Sequence, residues 1–185
     1  MRGGSRTFKH QKREPMNLDA YFQQLDQQEA EALQLADQLP PDLPAPAEGR
    51  WSPLQELEHI CLTEALVRKV LRHPSDKRAG VPELFGNQRL EKLVVAGRKS
   101  PIEAPEYLHP KGRLATAADF GHCFRAQRAE LKEDLGSGRI LPDDRTHPHP
   151  VLGELTIADW LYFLVQHTQR HLVSLRESLQ TATSS

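Results

Sequence analysis

Cysteine is scarce in this sequence, and long apolar runs are missing. The 185 residues include two cysteines, Cys61 and Cys123, too few for a disulfide framework, and both lie in segments with a helical pattern. We therefore expect reduced, partly buried thiols. No stretch approaches the roughly 18 apolar residues of a membrane span, and the N-terminus lacks the apolar segment of a secretory signal. The expectation is a cytoplasmic protein without a membrane partner.

An excess of positive charge is also missing. Lys and Arg number 24 against 25 Asp and Glu, which gives a formal charge of −1 and argues against nucleic acid as a partner. Residues 1–15 nevertheless contain five basic residues, one glutamate and few apolar side chains. This composition predicts a disordered basic tail over residues 1–15, followed by a single net-acidic domain over residues 16–182.

Helical signals dominate the rest of the chain. Capping-box patterns open three segments, at Ser52-Pro-Leu-Gln, Thr116-Ala-Ala-Asp and Thr156-Ile-Ala-Asp. With prolines and glycines as stop signals, they predict long helices over 17–39, 52–73, 116–135 and 156–180, and a short helix over 87–97. Because no useful alternating pattern appears, the predicted fold is all-α, a four-helix bundle with little or no sheet. Residues 74–115 form a long connection between the second and third long helices, and residues 136–153 form a shorter loop.

Three histidines fall at interior positions of two predicted helices. His167 and His171 are four residues apart at the edge of the apolar face of the last helix, so both imidazoles can reach one interior point. His59 lies in the second long helix beside Leu62 and Leu66. Three neutral imidazoles around one ion would leave a coordination position open, which is typical of a catalytic rather than a structural metal site.

A structural interpretation competes with this one. Nine histidines among 185 residues produce a four-residue spacing by chance often enough that spacing alone decides little. Each imidazole can equally be a core-edge residue that is hydrogen-bonded to a carbonyl or a water molecule. At this point both interpretations stand.

Neighbouring residues exclude several other sites. The run His167-Thr-Gln-Arg-His171 lacks the glutamate that a zinc protease places next to its first histidine. A di-iron bundle needs a second Glu-x-x-His besides the one ending at His59, but the residues three positions before His167 and His171 are Leu164 and Thr168, so the carboxylates are absent. Cys61 projects about 160° away from His59 around the helix and is a poor ligand beside it. His147 and His149 are expected to be solvent-exposed in the loop, and no phosphate loop or nucleophile elbow occurs.

Two segments resemble a known family. Trp51-Ser-Pro-Leu-Gln-Glu-Leu-Glu-His59 and Thr156-Ile-Ala-Asp-Trp-Leu-Tyr-Phe-Leu-Val-Gln-His167-Thr-Gln-Arg-His171 are similar to the metal-site segments of DinB-like (YfiT-like) proteins. That superfamily includes bacillithiol and mycothiol S-transferases and has a four-helix-bundle fold. The resemblance implies that His59, His167 and His171 hold a divalent metal ion. The family name implies no binding of DNA.

Two functions follow as hypotheses. The first is a metal-dependent enzyme with Zn²⁺ or Ni²⁺, either a thiol S-transferase that uses a low-molecular-weight thiol or a hydrolase, acting on a small-molecule substrate. The second is a non-enzymatic helical module or homodimer, in which the histidines or their metal are structural. Residues expected to orient the imidazoles are Gln55, Glu58, Glu64 and Gln166.

Overall fold

The computed structural model describes residues 16–40, 42–99 and 103–183. Its elements are the helices α1 (Leu18–Gln38), α2 (Pro53–Arg72), α3 (Asn87–Val94), α4 (Ala117–Gly136) and α5 (Ile157–Thr183), the strands β1 (Thr146–His149) and β2 (Gly153–Thr156), and 3-10 turns at Ala96–Lys99 and Glu106–Leu108. The basic tail predicted over residues 1–15 lies outside the described residues. None of the described helices is long and apolar enough to cross a membrane.

The predicted helix starts are confirmed. At α2 the Ser52 hydroxyl accepts from the Gln55 amide at 3.3 Å, and the Gln55 side chain accepts from the Ser52 amide at 2.8 Å. Thr116 and Asp119 form the same reciprocal pair at α4. Each capping box satisfies backbone donors that the first turn of a helix leaves free, which is why the sequence pattern predicts these helix starts accurately.

Helices α1, α2, α4 and α5 form a four-helix bundle, as predicted. Helix α2 packs against α4 and α5, and α1 packs against the same two helices from the other side. The short helix α3 lies on the outside of α5. Cys61 is buried, Cys123 is half-buried, and both thiols are free.

A polar layer divides the bundle core into two apolar halves. One half is built around residues such as Leu25, Val67, Leu131 and Leu161, and the other around residues such as Ile60, Phe124 and Leu172. Each long helix places one polar side chain between the halves, and we call these four residues the polar layer: Gln28, Glu64, Arg128 and Thr168.

The predicted loop over residues 136–153 contains a strand pair that the sequence did not suggest. Strands β1 and β2 are antiparallel, with Thr146 opposite Thr156 and His149 opposite Gly153. The expected exposure of the loop histidines was wrong. His147 is only 9% exposed, and His149 packs on the rings of Trp160 and Phe163 at 5.1 and 4.5 Å between centroids. Pairing of the strands places the His149 ring against the start of α5, where the Trp160 indole also donates to the His147 carbonyl at 3.2 Å.

Candidate metal centre

The three predicted histidines come together inside the bundle. His59 lies on α2, and His167 and His171 lie on successive turns of α5. One ring nitrogen from each lies within 4.8 Å of the others. The Nε2 atoms of His59 and His167 are 3.1 Å apart, and the ring of His171 lies 4.9 and 4.7 Å from the rings of these two, centroid to centroid.

Two of the imidazoles have their outer nitrogen fixed by a hydrogen-bond acceptor. Nδ1 of His59 donates to the Leu108 carbonyl at 2.8 Å, which leaves the Nε2 lone pair facing the cluster. Nδ1 of His171 lies 3.1 Å from the Glu56 carboxylate, whose other oxygen accepts from the Ser174 hydroxyl at 2.8 Å. Histidines that bind metals nearly always donate their second N–H to a carbonyl or a carboxylate in this way.

Burial keeps the rings of His59 and His167 neutral. Desolvation, followed by the nearby His171, lowers the pKa of His59 from 6.5 to about 4. The same two causes, in the same order, place the pKa of His167 well below its ordinary value. A neutral imidazole offers the lone pair that a metal needs, so both rings are in their ligating form at neutral pH.

The donor set and its spacing fit a divalent cation. Two nitrogen ligands about 2.05 Å from a tetrahedral Zn²⁺ are roughly 3.3 Å apart, close to the 3.1 Å between the His59 and His167 Nε2 atoms. Imidazole is a favourable ligand for Zn²⁺ and Ni²⁺ alike. Three histidines without a fourth protein ligand are typical of sites that keep a position for water or substrate.

Aromatic rings line both sides of the cluster. On one side, the Trp51 ring lies 4.6 Å from the His59 ring and 5.8 Å from the His109 ring, centroid to centroid. On the other side, the Phe163 ring lies 5.5 Å from the His167 ring and 4.5 Å from the His149 ring. These rings surround the centre with apolar surface that partly excludes water. His149 was missed as a neighbour because its loop showed no strand pattern.

The hydrogen bonds found for the residues expected to orient the imidazoles go to groups other than the three histidines. Gln55 caps α2, Gln166 donates to the Asn87 side chain, Glu58 accepts from backbone amides of residues 111–113, and Glu64 pairs with Arg128.

The carboxylate that contacts a histidine is Glu56, which sequence reasoning noticed only as part of an incomplete di-iron motif. Its position one turn before His59, on the same face of α2, is the signal that could have identified it.

Comparison with known proteins places this architecture in a family. A family model described as the DinB superfamily matches residues 24–174. The chain belongs to the DinB superfamily. The resemblance drawn from two helical segments is therefore confirmed, and all three histidines of this DinB-superfamily chain lie in the matched range.

Individual relatives agree with this assignment. The "Uncharacterized protein YuaE" of Bacillus subtilis (strain 168) is 27% identical over 132 residues, which cover 71% of this chain and 79% of that protein. A solved structure, "Crystal structure of TT2238, a four-helix bundle protein", aligns with a TM-score of 0.54 and 25% identity, covering 86% of this chain and 98% of that one. This chain shares the four-helix bundle of that solved structure.

Proposed function

We propose that this protein is a metal-dependent enzyme that acts on a small molecule. In this proposal His59, His167 and His171 hold a divalent cation, Zn²⁺ or Ni²⁺, inside the bundle. The observation that carries the proposal is the convergence of three imidazoles from two helices, with the outer nitrogens of His59 and His171 already fixed by acceptors. Such preorganisation is typical of metal ligands, and the grouping of three ring nitrogens within 4.8 Å of one another distinguishes these residues from isolated core histidines.

A cation bound there would supply Lewis acidity, which favours the thiolate form of a small thiol or lowers the pKa of a water molecule. Neutral ligands leave its full positive charge available for either purpose. We propose a thiol S-transferase or a hydrolase on this basis. Glu56 orients His171, the Leu108 carbonyl orients His59, and the rings of Trp51 and Phe163 limit the access of water.

Metal analysis of protein purified without a histidine tag tests the site. Wild-type protein should contain about one ion per chain, and His171→Ala should lose most of it. His122→Ala is the matched control, since His122 is an exposed histidine on α4. Equal metal content in wild type and H171A would refute the proposed site.

A second assay separates an enzyme from a metal-stabilised module. The site joins α2 to α5, so a bound ion also stabilises the bundle. The metal-loaded protein is offered a panel of electrophiles with small thiols, and a panel of ester and amide substrates without them. Turnover that is lost in H171A supports the enzyme. A large fall in melting temperature on chelation, together with no turnover in either panel, supports the non-enzymatic module or homodimer.

A further inference from the structure

One buried carboxylate attaches the long connection to α2. Glu58 is only 3% exposed and accepts hydrogen bonds from the backbone amides of Lys111, Gly112 and Arg113 at 2.8, 2.9 and 3.1 Å. Burial of a carboxylate is costly unless it is well hydrogen-bonded, and these three donors satisfy it. We call residues 111–113 the amide cradle.

The amide cradle closely follows the residue that contacts a proposed metal ligand. Leu108 ends the 3-10 turn Glu106–Leu108, and its carbonyl accepts from Nδ1 of His59 at 2.8 Å. Consecutive residues of α2 therefore hold the same short segment at two points, Glu58 through the cradle and His59 through Leu108. Gly112 has φ +73°, a conformation that favours glycine and lets the cradle amides converge on one carboxylate.

We propose that Glu58 is a positioning residue for the metal centre. By holding the amide cradle, Glu58 keeps the Leu108 carbonyl against Nδ1 of His59, and that acceptor fixes the proton on Nδ1. A neutral imidazole can carry its proton on either nitrogen, and only the Nδ1–H tautomer leaves the Nε2 lone pair for a cation. This inference rests on the proposed metal site, but its effect on the tautomer exists without metal.

Asp159 supplies a matched comparison. It is fully buried on α5 and accepts from the amides of Leu84, Phe85 and Gly86 at 2.8, 3.1 and 2.8 Å. The chemistry resembles that at Glu58, and the segment belongs to the same long connection. Residues 84–86 make no hydrogen bond to the three histidines within the part of the chain that the structure describes. Loss of Asp159 should therefore loosen the connection, and with it the capping box that Asp159 forms with Thr156 at the start of α5, without changing His59.

The experiment compares Glu58→Gln with Asp159→Asn in the full chain. Zn²⁺ affinity is measured by chelator competition, apo stability by urea unfolding, and the His59 tautomer in the apo protein by long-range ¹H–¹⁵N NMR of its ring. We expect E58Q to bind Zn²⁺ about tenfold more weakly and to show a mixture of His59 tautomers. D159N should lose stability, with a change in Zn²⁺ affinity below about twofold and an unchanged tautomer.

Two glycine variants test the amide cradle without changing either carboxylate. Gly112→Ala and Gly80→Ala each force an alanine into a positive φ, +73° and +71°, and each added Cβ would meet no heavy atom within 4 Å. G112A should weaken Zn²⁺ binding and alter the His59 tautomer, whereas G80A should do neither. This pair also replaces E58Q if that variant does not fold.

Two results would overturn the inference. One is that E58Q and D159N weaken Zn²⁺ binding equally, and the other is that His59 keeps its proton on Nδ1 in both E58Q and G112A. If wild-type protein binds no Zn²⁺ or Ni²⁺, the proposed function fails separately, and the apo tautomer still decides the role of Glu58.

Discussion

Arg128 is the most consequential single residue of the polar layer. Its side chain is fully buried, and Nη2 contacts the Glu64 carboxylate at 2.5 Å and the Gln28 side-chain oxygen at 3.0 Å. Its guanidinium also stacks over the Phe124 ring at 4.7 Å. Arg128→Met should therefore destabilise the apo protein far more than a loss of packing alone would.

The expected magnitude follows from the carboxylate left behind. Glu64 is 3% exposed, and burial raises its pKa while the Arg128 guanidinium opposes that rise. Removing one partner of a buried ion pair costs about 3–5 kcal/mol, because the other charge stays desolvated. For a chain of this size that cost should lower the urea midpoint by about 1–2 M. Burial raises the pKa of the Glu64 carboxyl in the folded state, so its protonation as the pH falls stabilises the folded protein. The difference in unfolding free energy between wild type and R128M should therefore shrink on acidification.

Two further variants make this prediction refutable. Lys132→Met removes a more exposed cation of α4 that pairs with Asp26, and a surface pair of this kind is worth less than about 1 kcal/mol. The double variant R128M/E64L removes both charges and should recover most of the stability that R128M loses. A loss below about 1 kcal/mol in R128M, or no recovery in the double variant, would show that the pair does not hold the layer together.

Three other predictions concern single side chains. Glu56→Gln should weaken Zn²⁺ binding about tenfold in chelator competition, because the amide is a weaker acceptor for His171. Hydrogen bonding to Arg72 lowers the pKa of Asp134, so Asp134→Asn should be less stable than wild type in urea at neutral pH, and the gap should close as the pH falls through that lowered pKa. Burial lowers the pKa of His149 from 6.5 to about 4, so apo stability should rise between pH 4 and 6.5, and His149→Gln should remove up to about 3 kcal/mol of that rise.

The helices could be predicted because their ends are decided locally. Ser52 and Thr116 act on backbone donors within three residues, so the sequence contains the whole interaction. The pair His167 and His171 could be predicted equally well, since helical spacing places both residues on one side of α5. The third proposed ligand, His59, was joined to them by the family resemblance as much as by its own apolar surroundings.

The surroundings of the centre could not be predicted in the same way. Leu108 reaches His59 across 49 residues of the chain, and the Glu56 contact to His171 spans 115. Strand β1 includes Pro148 and is four residues long, too short for an alternating pattern to show. Contacts of this kind depend on how the long connection and the β1–β2 strand pair pack against the bundle. No periodicity in the sequence predicts that packing.

The way in which the connection is attached has a consequence for selectivity. Glu58 and Asp159 lie on the two helices that carry the histidines, and each binds backbone amides of the connection rather than its side chains. Backbone amides are present at every position except proline, so most side chains around these anchors can change without breaking them. The bundle thus fixes the histidines and the path of the chain beside them, and in the proposed enzyme the side chains of the connection are free to determine which small molecule fits.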